Sequence, residues 1–161
     1  MNARVQSEVS AIEADVVITR ALKAPRQLVF QMWTDPEHLP LWWGPNGFNC
    51  TRCEMDVRVG GRFYLEMCGP DGGTYPCEGV YREIVAPERI VYDGLAEEGH
   101  PCGAGLPPYG RVTISFAEQE GITTIRIHAK LRSVADREAA MQMGFGTGWA
   151  QTLERLDAYL S

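Results

Sequence analysis

One change of rhythm constrains this chain more than any other feature. From about residue 49 to residue 131, apolar side chains recur every second position, and after Ser133 they recur at helical spacing. The alternation is clearest in RFYLEM, where Phe63, Leu65 and Met67 oppose Arg62, Tyr64 and Glu66. It returns in RVTISF (Val112, Ile114, Phe116) and in ITTIRIHAKL (Ile125, Ile127, Ala129, Leu131). A period of two places one apolar face on each strand. Near the end, Phe145, Trp149, Leu153, Leu156 and Leu160 follow at intervals of 4, 4, 3 and 4, which draws an apolar stripe along a helix. A half-apolar sheet needs a cover, and that last helix supplies one.

The remaining elements fall around this frame. DVVITRALKA, from about Asp15 to Ala24, reads as a first strand. Pro25 opens a short helix with Leu28, Val29, Met32 and Trp33 on its apolar face. Asp35-Pro36 ends that helix and begins a second short one, PEHLPLWW, before the turn Gly44–Gly47. FNCTRCEMDVRV, TYPCEGVYREIV and RIVYDGL complete the strands, and GPDGG reads as a hairpin loop. Ser133 lies three residues before Asp136 and can cap a helix starting near Val134. Gly144, Gly146 and Gly148 predict a kink or a fresh start around residues 143–148, and helix-to-sheet packing is the favoured reason for them. The expected fold is therefore α+β: a curved antiparallel sheet of about six or seven strands, two short helices after the first strand, and a long C-terminal helix. Residues 1–13 read as a flexible extension and 14–161 as a single domain.

Composition narrows the function. The 161 residues carry a net charge of −6, and the pI is about 5.1. An acidic chain with scattered Lys and Arg is repelled by phosphate, so no nucleic acid is expected as partner. No apolar run reaches the roughly 20 residues of a membrane span, and the first residues lack the apolar core of a signal peptide. The expected location is cytoplasmic. The five cysteines are an odd number, which suggests free thiols in a reducing compartment.

The motifs WWGP (Trp42–Pro45), DVRVGGRF (Asp56–Phe63), PDGGTY (Pro70–Tyr75), GVYREIVAPERIVY (Gly79–Tyr92) and GFGTGWAQTLERLDAYL (Gly144–Leu160) stand in this order. Together they resemble the activator of heat-shock-protein-ninety ATPase homologue family, within the START-like, birch-allergen-like (SRPBCC) superfamily. The resemblance implies the helix-grip fold, with a cavity between the curved sheet and the last helix. Relatives of this kind include lipid carriers, polyketide cyclases, hormone sensors and a co-chaperone domain, so the fold alone does not fix an activity.

The candidate ligand-binding residues are Trp42, Trp43, Phe63, Leu65, Met67, Tyr81, Phe116, Met143, Phe145, Trp149 and Leu153, large side chains expected on the sheet's inner face, the second short helix and the last helix. The expected occupant is a small hydrophobic or amphipathic molecule. An alternative is a cyclase-, aromatase- or hydrolase-like enzyme using Tyr81, Asp56 or Glu66 as acid or base, and Glu83 and Arg58 complete the charged candidates. For these strands the outward, ion-paired reading is favoured. A third reading is a module that modulates a chaperone, with a large exposed apolar patch. The loop from Ala96 to Gly110 is a candidate lid bringing His100, Cys102 or Tyr109.

No metal or cofactor is expected. Cys50-Thr-Arg-Cys53 lacks a second C-x-x-C, and positions three apart on a regular strand face opposite sides. Cys68 and Cys77 flank the hairpin and are potential cross-strand neighbours. His38 and His128 have no local nucleophile partner, and His128 is expected to be solvated, so no catalytic residue is assigned.

Overall fold

A computed structural model of the chain describes residues 7–95 and 110–161. The candidate lid residues His100, Cys102 and Tyr109 lie outside the described residues. Eight strands form one sheet: β1 (Glu8–Ile12), β2 (Asp15–Leu22), β3 (Asn49–Met55), β4 (Arg62–Cys68), β5 (Thr74–Val85), β6 (Arg89–Gly94), β7 (Arg111–Gln119) and β8 (Ile122–Lys130). Their spatial order is β1-β2-β8-β7-β6-β5-β4-β3, and every neighbouring pair is antiparallel.

This order makes the grip. β2 lies near one end of the sheet and β3 at the other, so the chain between them must travel the width of the sheet. It does so through α1 (Arg26–Thr34) and a single 3-10 turn (Leu39–Leu41). The first packs on β7 and β8, and the second reaches β3. The sheet is curved. Two register shifts, between Cys50 and Arg52 and between Tyr81 and Glu83, add local twist of the kind that bends a sheet.

The inner face is continuous. Ile18, Ile127, Ile114 and Ile90 lie side by side across four strands, and the next row contains Val16, Ala129, Val112, Tyr92 and Tyr81. All of these are buried. The alternation seen in sequence thus marks the true inner face of β4, β7 and β8.

After the sheet, α2 (Val134–Gln142) starts with Ser133 accepting a hydrogen bond from the Asp136 backbone N–H at 3.1 Å, the cap its spacing predicts. The chain then starts afresh. Gly144 adopts φ of 90°, a left-handed conformation suited to glycine, and α3 (Phe145–Leu160) follows. At Gly146 a Cβ would lie 2.9 Å from Val9 on β1, so helix-to-sheet packing accounts for that glycine. The buried face of α3 carries Phe145, Trp149, Thr152, Leu153 and Leu156. Arg20, inward on β2 and buried, ties this helix to the sheet through Asp157 at 2.9 Å.

Three details depart from the sequence reading. Residues 8–12, assigned to the flexible extension, form edge strand β1, and the sheet has eight strands rather than six or seven. The second short helix is reduced to the 3-10 turn, because Pro40 lies within it and Gly44-Pro45 stops continuation. On α1, Phe30 replaces Leu28 in the buried set, and Leu28 faces outward.

Candidate functional site

The core between sheet and helices is dominated by four tryptophans, all those in the chain. Trp33 stacks on Trp149 with centroids 5.9 Å apart. Trp43 meets both edge-on, at 5.7 Å from Trp33 and 5.5 Å from Trp149. Trp42 closes the group, 4.9 Å from Trp33 and 5.8 Å from Trp43. Three elements supply these rings: α1, the segment after the 3-10 turn, and α3.

Beside this cluster lies a narrow apolar cleft with a cavity volume of about 20 Å³, room for a single water. Its walls are Trp33, Leu39, Trp43, Met55, Phe63, Leu65, Tyr81, Ile90, Tyr92 and Ile114. The opposite wall is also aromatic: Phe63 contacts Tyr92 edge-on at 5.0 Å and Tyr81 at 5.3 Å. Gly79 makes room for that ring, since a Cβ there would lie 2.4 Å from the Phe63 ring and 2.9 Å from the Asp93 carbonyl.

Few polar groups lie in the core around the cleft, and no polar atom is exposed within it. Trp42 donates its indole N–H to the Met32 carbonyl at 3.3 Å. The indole nitrogens of Trp33, Trp43 and Trp149 and the Tyr92 hydroxyl are buried with no hydrogen-bond partner. Burial pushes the Tyr92 phenol far above its ordinary pKa, with Tyr81 adding to the effect. Burial likewise raises the Tyr81 phenol, followed by the influence of Cys53 and Asp56. Both remain neutral at any ordinary pH.

The turn that follows Trp43 is held by Arg155 on α3. Its Nη1 donates to the carbonyls of Gly44 at 2.8 Å and Phe48 at 2.9 Å, with Trp43 at 3.2 Å and Pro45 at 3.3 Å. This guanidinium fixes the turn carrying Trp43. Its partial burial lowers its pKa, offset in part by Cys50.

Of the sequence candidates, Trp43, Phe63, Leu65 and Tyr81 are cleft walls. Trp42, Met67, Phe116, Phe145, Trp149 and Leu153 are buried in the surrounding core rather than on its walls. Met143 is misplaced: it is 58% exposed, because α2 ends there and Gly144 redirects the chain. Sequence reasoning missed Trp33, Leu39, Met55, Ile90, Tyr92 and Ile114 as walls. Only their shared inner face in β6 and β7 offered a signal for the last three.

The charged candidates stand elsewhere. Asp56 is exposed and paired with Arg58 at 2.9 Å, and Glu66 accepts from the Tyr64 hydroxyl at 2.7 Å. Glu83 pairs with Arg89. His128, expected to be solvated, is partly buried and paired with Asp15 at 2.8 Å, while His38 bonds the Tyr159 hydroxyl at 2.7 Å. No cluster with metal-ligand composition occurs among the described residues.

The cysteines need two corrections. The bulge after Cys50 shifts register by one, so Cys50 and Cys53 oppose Met67 and Leu65 and share the inward face instead of diverging. Both remain free thiols, as does Cys68. Cys77 is disulfide-bonded, so it is neither a free thiol nor joined to Cys68, and the cysteines do not point to a reducing compartment.

The family model described as activator of Hsp90 ATPase homolog 1-like protein matches residues 23–161. The chain belongs to this family. Among solved structures, it is similar to a Mycobacterium smegmatis protein at 25% identity and a TM-score of 0.83, covering 98% of each chain. A Nitrosomonas europaea protein aligns at 27% identity and 0.81, covering 91% of this chain and 94% of the other. A Chromobacterium violaceum protein aligns at 30% identity and 0.74, covering 91% and 96%. No curated protein matches the chain. No helix among the described residues is long and apolar enough to cross a membrane.

Proposed function

We propose that this family member binds a small hydrophobic or amphipathic molecule in the cleft between the sheet and the Trp33–Trp43–Trp149 cluster, without covalent chemistry. One observation carries the reading. Aromatic walls from the sheet and from the helices converge on one small apolar space, which a ligand would widen by parting them. Binding sites are concave and mostly apolar in the same way. The candidate acids and bases of the enzyme reading, Asp56 and Glu66, are not cleft walls, which favours carriage or sensing over catalysis.

The test is a thermal-shift screen of fatty acids, isoprenoids and aromatic polyketides. A ligand at 100 times its Kd adds about 2.7 kcal/mol. For a chain of this length that raises Tm by roughly 5–11 °C. The cleft-filling substitution Ile90→Phe should abolish the shift. The reading fails when no apolar ligand stabilises the wild-type chain.

A further inference from the structure

We infer that residues 36–48 are the gate of this cleft, latched shut by a stripe of three side chains on α3: Gln151, Arg155 and Tyr159. The inference rests on the ligand-binding reading above and names the part of the fold that moves for it.

The need for movement comes from size. The cleft has a volume of about 20 Å³, whereas pockets for small ligands run to roughly 300 Å³ or more. A wall must be displaced before an apolar molecule enters. Most walls are poorly placed to move. Phe63, Leu65, Tyr81, Ile90, Tyr92 and Ile114 lie on β4 to β7, strands bonded on both sides within the sheet. Met55 is on β3, bonded to β4, and Trp33 belongs to α1. The two remaining walls, Leu39 and Trp43, come from the connection between α1 and β3, whose one regular element is the 3-10 turn.

The bonding of this connection separates it from the sheet. Its backbone N–H groups bond locally: His38 and Leu39 to Asp35, Leu41 to His38, Trp43 to Leu39, Phe48 to Pro45. Among the described residues it makes no hydrogen bond to a strand. The Trp42 indole reaches Met32 on α1 at 3.3 Å.

What holds the connection in place is α3. The Gln151 side-chain oxygen accepts from the Asn46 backbone N–H at 3.0 Å. Arg155 donates to the carbonyls around Gly44 and Phe48. The Tyr159 hydroxyl bonds His38 at 2.7 Å. The three residues are spaced four apart, so they line one side of the helix. They hold the connection near both of its ends, while Leu39 and Trp43, also four apart, face the cleft. The outer two bonds are exposed and exchange with water at little net cost. Parting the strands instead would break ladder bonds of the most stable part of the fold. The gate swings away from the sheet, the apolar molecule enters, and the latch re-forms over it.

The experiment is hydrogen–deuterium exchange of the full chain, read by mass spectrometry on peptides covering 36–48, with 111–119 and 122–130 as references. The variant is Gln151→Ala combined with Tyr159→Phe, because these outer bonds are exposed and their loss leaves the fold intact. We expect residues 36–48 to exchange faster than β7 and β8 in the wild-type chain. At roughly 3-fold for each exposed bond, the double variant should exchange about 10-fold faster over 36–48, with β7 and β8 unchanged. Tyr64→Phe, which removes a similar bond to Glu66 on β4, should change neither. With the most stabilising compound of the thermal-shift screen bound, exchange over 36–48 should slow. That compound should leave the double variant about 10-fold faster than the wild-type chain, followed by tryptophan fluorescence. Exchange over 36–48 as slow as in β7 and β8, no acceleration in the double variant, equal acceleration everywhere, or an unchanged dissociation rate overturns the gate while leaving the ligand site standing. A screen without any binder removes the ligand-binding reading and the gate with it.

Discussion

Arg155 is the residue through which α3 holds the turn that follows the cleft wall Trp43, and its removal should be read in both stability and binding. Four backbone carbonyls converge on its Nη1, yet that nitrogen has only two hydrogens. The two short contacts, to Gly44 and Phe48, therefore count as full bonds, and those to Trp43 and Pro45 as bifurcated partners. A hydrogen bond from a charged donor contributes about 1.5–3 kcal/mol. Because the side chain is only partly buried, the lower end is appropriate, giving about 3 kcal/mol for two such bonds. Arg155→Met keeps the aliphatic stem but leaves the carbonyls unpaired, so it should lose about 2–4 kcal/mol in urea unfolding with an unchanged m-value. Arg155→Lys should recover part of this, since one ammonium cannot reproduce the planar fork. Affinity for any apolar ligand found in the thermal-shift screen should fall in parallel, because the Trp43 turn loosens. A loss below about 0.5 kcal/mol for Arg155→Met, the level of an ordinary surface change, would refute the clamp.

Three further outcomes are expected. Tyr92→Phe removes an orphaned hydroxyl and should stabilise the ligand-free chain by about 1 kcal/mol, seen as a Tm rise of roughly 2–4 °C; a clear loss of stability would mean that the hydroxyl is satisfied by bound water. Asp93 has its carboxyl pKa lowered chiefly by the hydrogen bond from Arg111, against an opposing effect of burial, with Arg82 assisting. Its stabilising contribution should be present above the usual carboxylate pKa of about 3.9 and fade as pH falls below it, so Asp93→Asn should flatten the acid limb of a stability–pH curve. The Cys53 thiol, pushed up to about 11 by burial and then by Cys50 and Glu54, should resist iodoacetamide at pH 8 in the native chain and react at the ordinary rate once unfolded.

The parts of the fold legible in the sequence were those where periodicity was unbroken. Phe63, Leu65 and Met67, and likewise Ile125, Ile127 and Ala129, alternate cleanly, so their inner face follows directly. The break near Gly144 was also legible, because glycine spacing weakens a helix whatever surrounds it. The cleft was read less completely. In β6 the run Ile90-Val91-Tyr92 is apolar throughout, so local pattern cannot assign which side faces inward. Trp33 is visible as a core residue of α1, but its place against Trp149 is decided by the crossing of the sheet. Met143 was drawn inward by extending the stripe of α3 across a helix break. The bulge after Cys50 left no mark in composition, and it alone turns two thiols to the same side.

The central claim is that an apolar ligand is held between the sheet and the helices, at the cleft between two aromatic walls. Its most direct measurement is a crystal structure of the wild-type chain with the most stabilising ligand of the thermal-shift screen. The account predicts that the walls part and that ligand density lies between Trp43 and Phe63. A cleft still closed by side chains, with the ligand bound elsewhere or not at all, would contradict it.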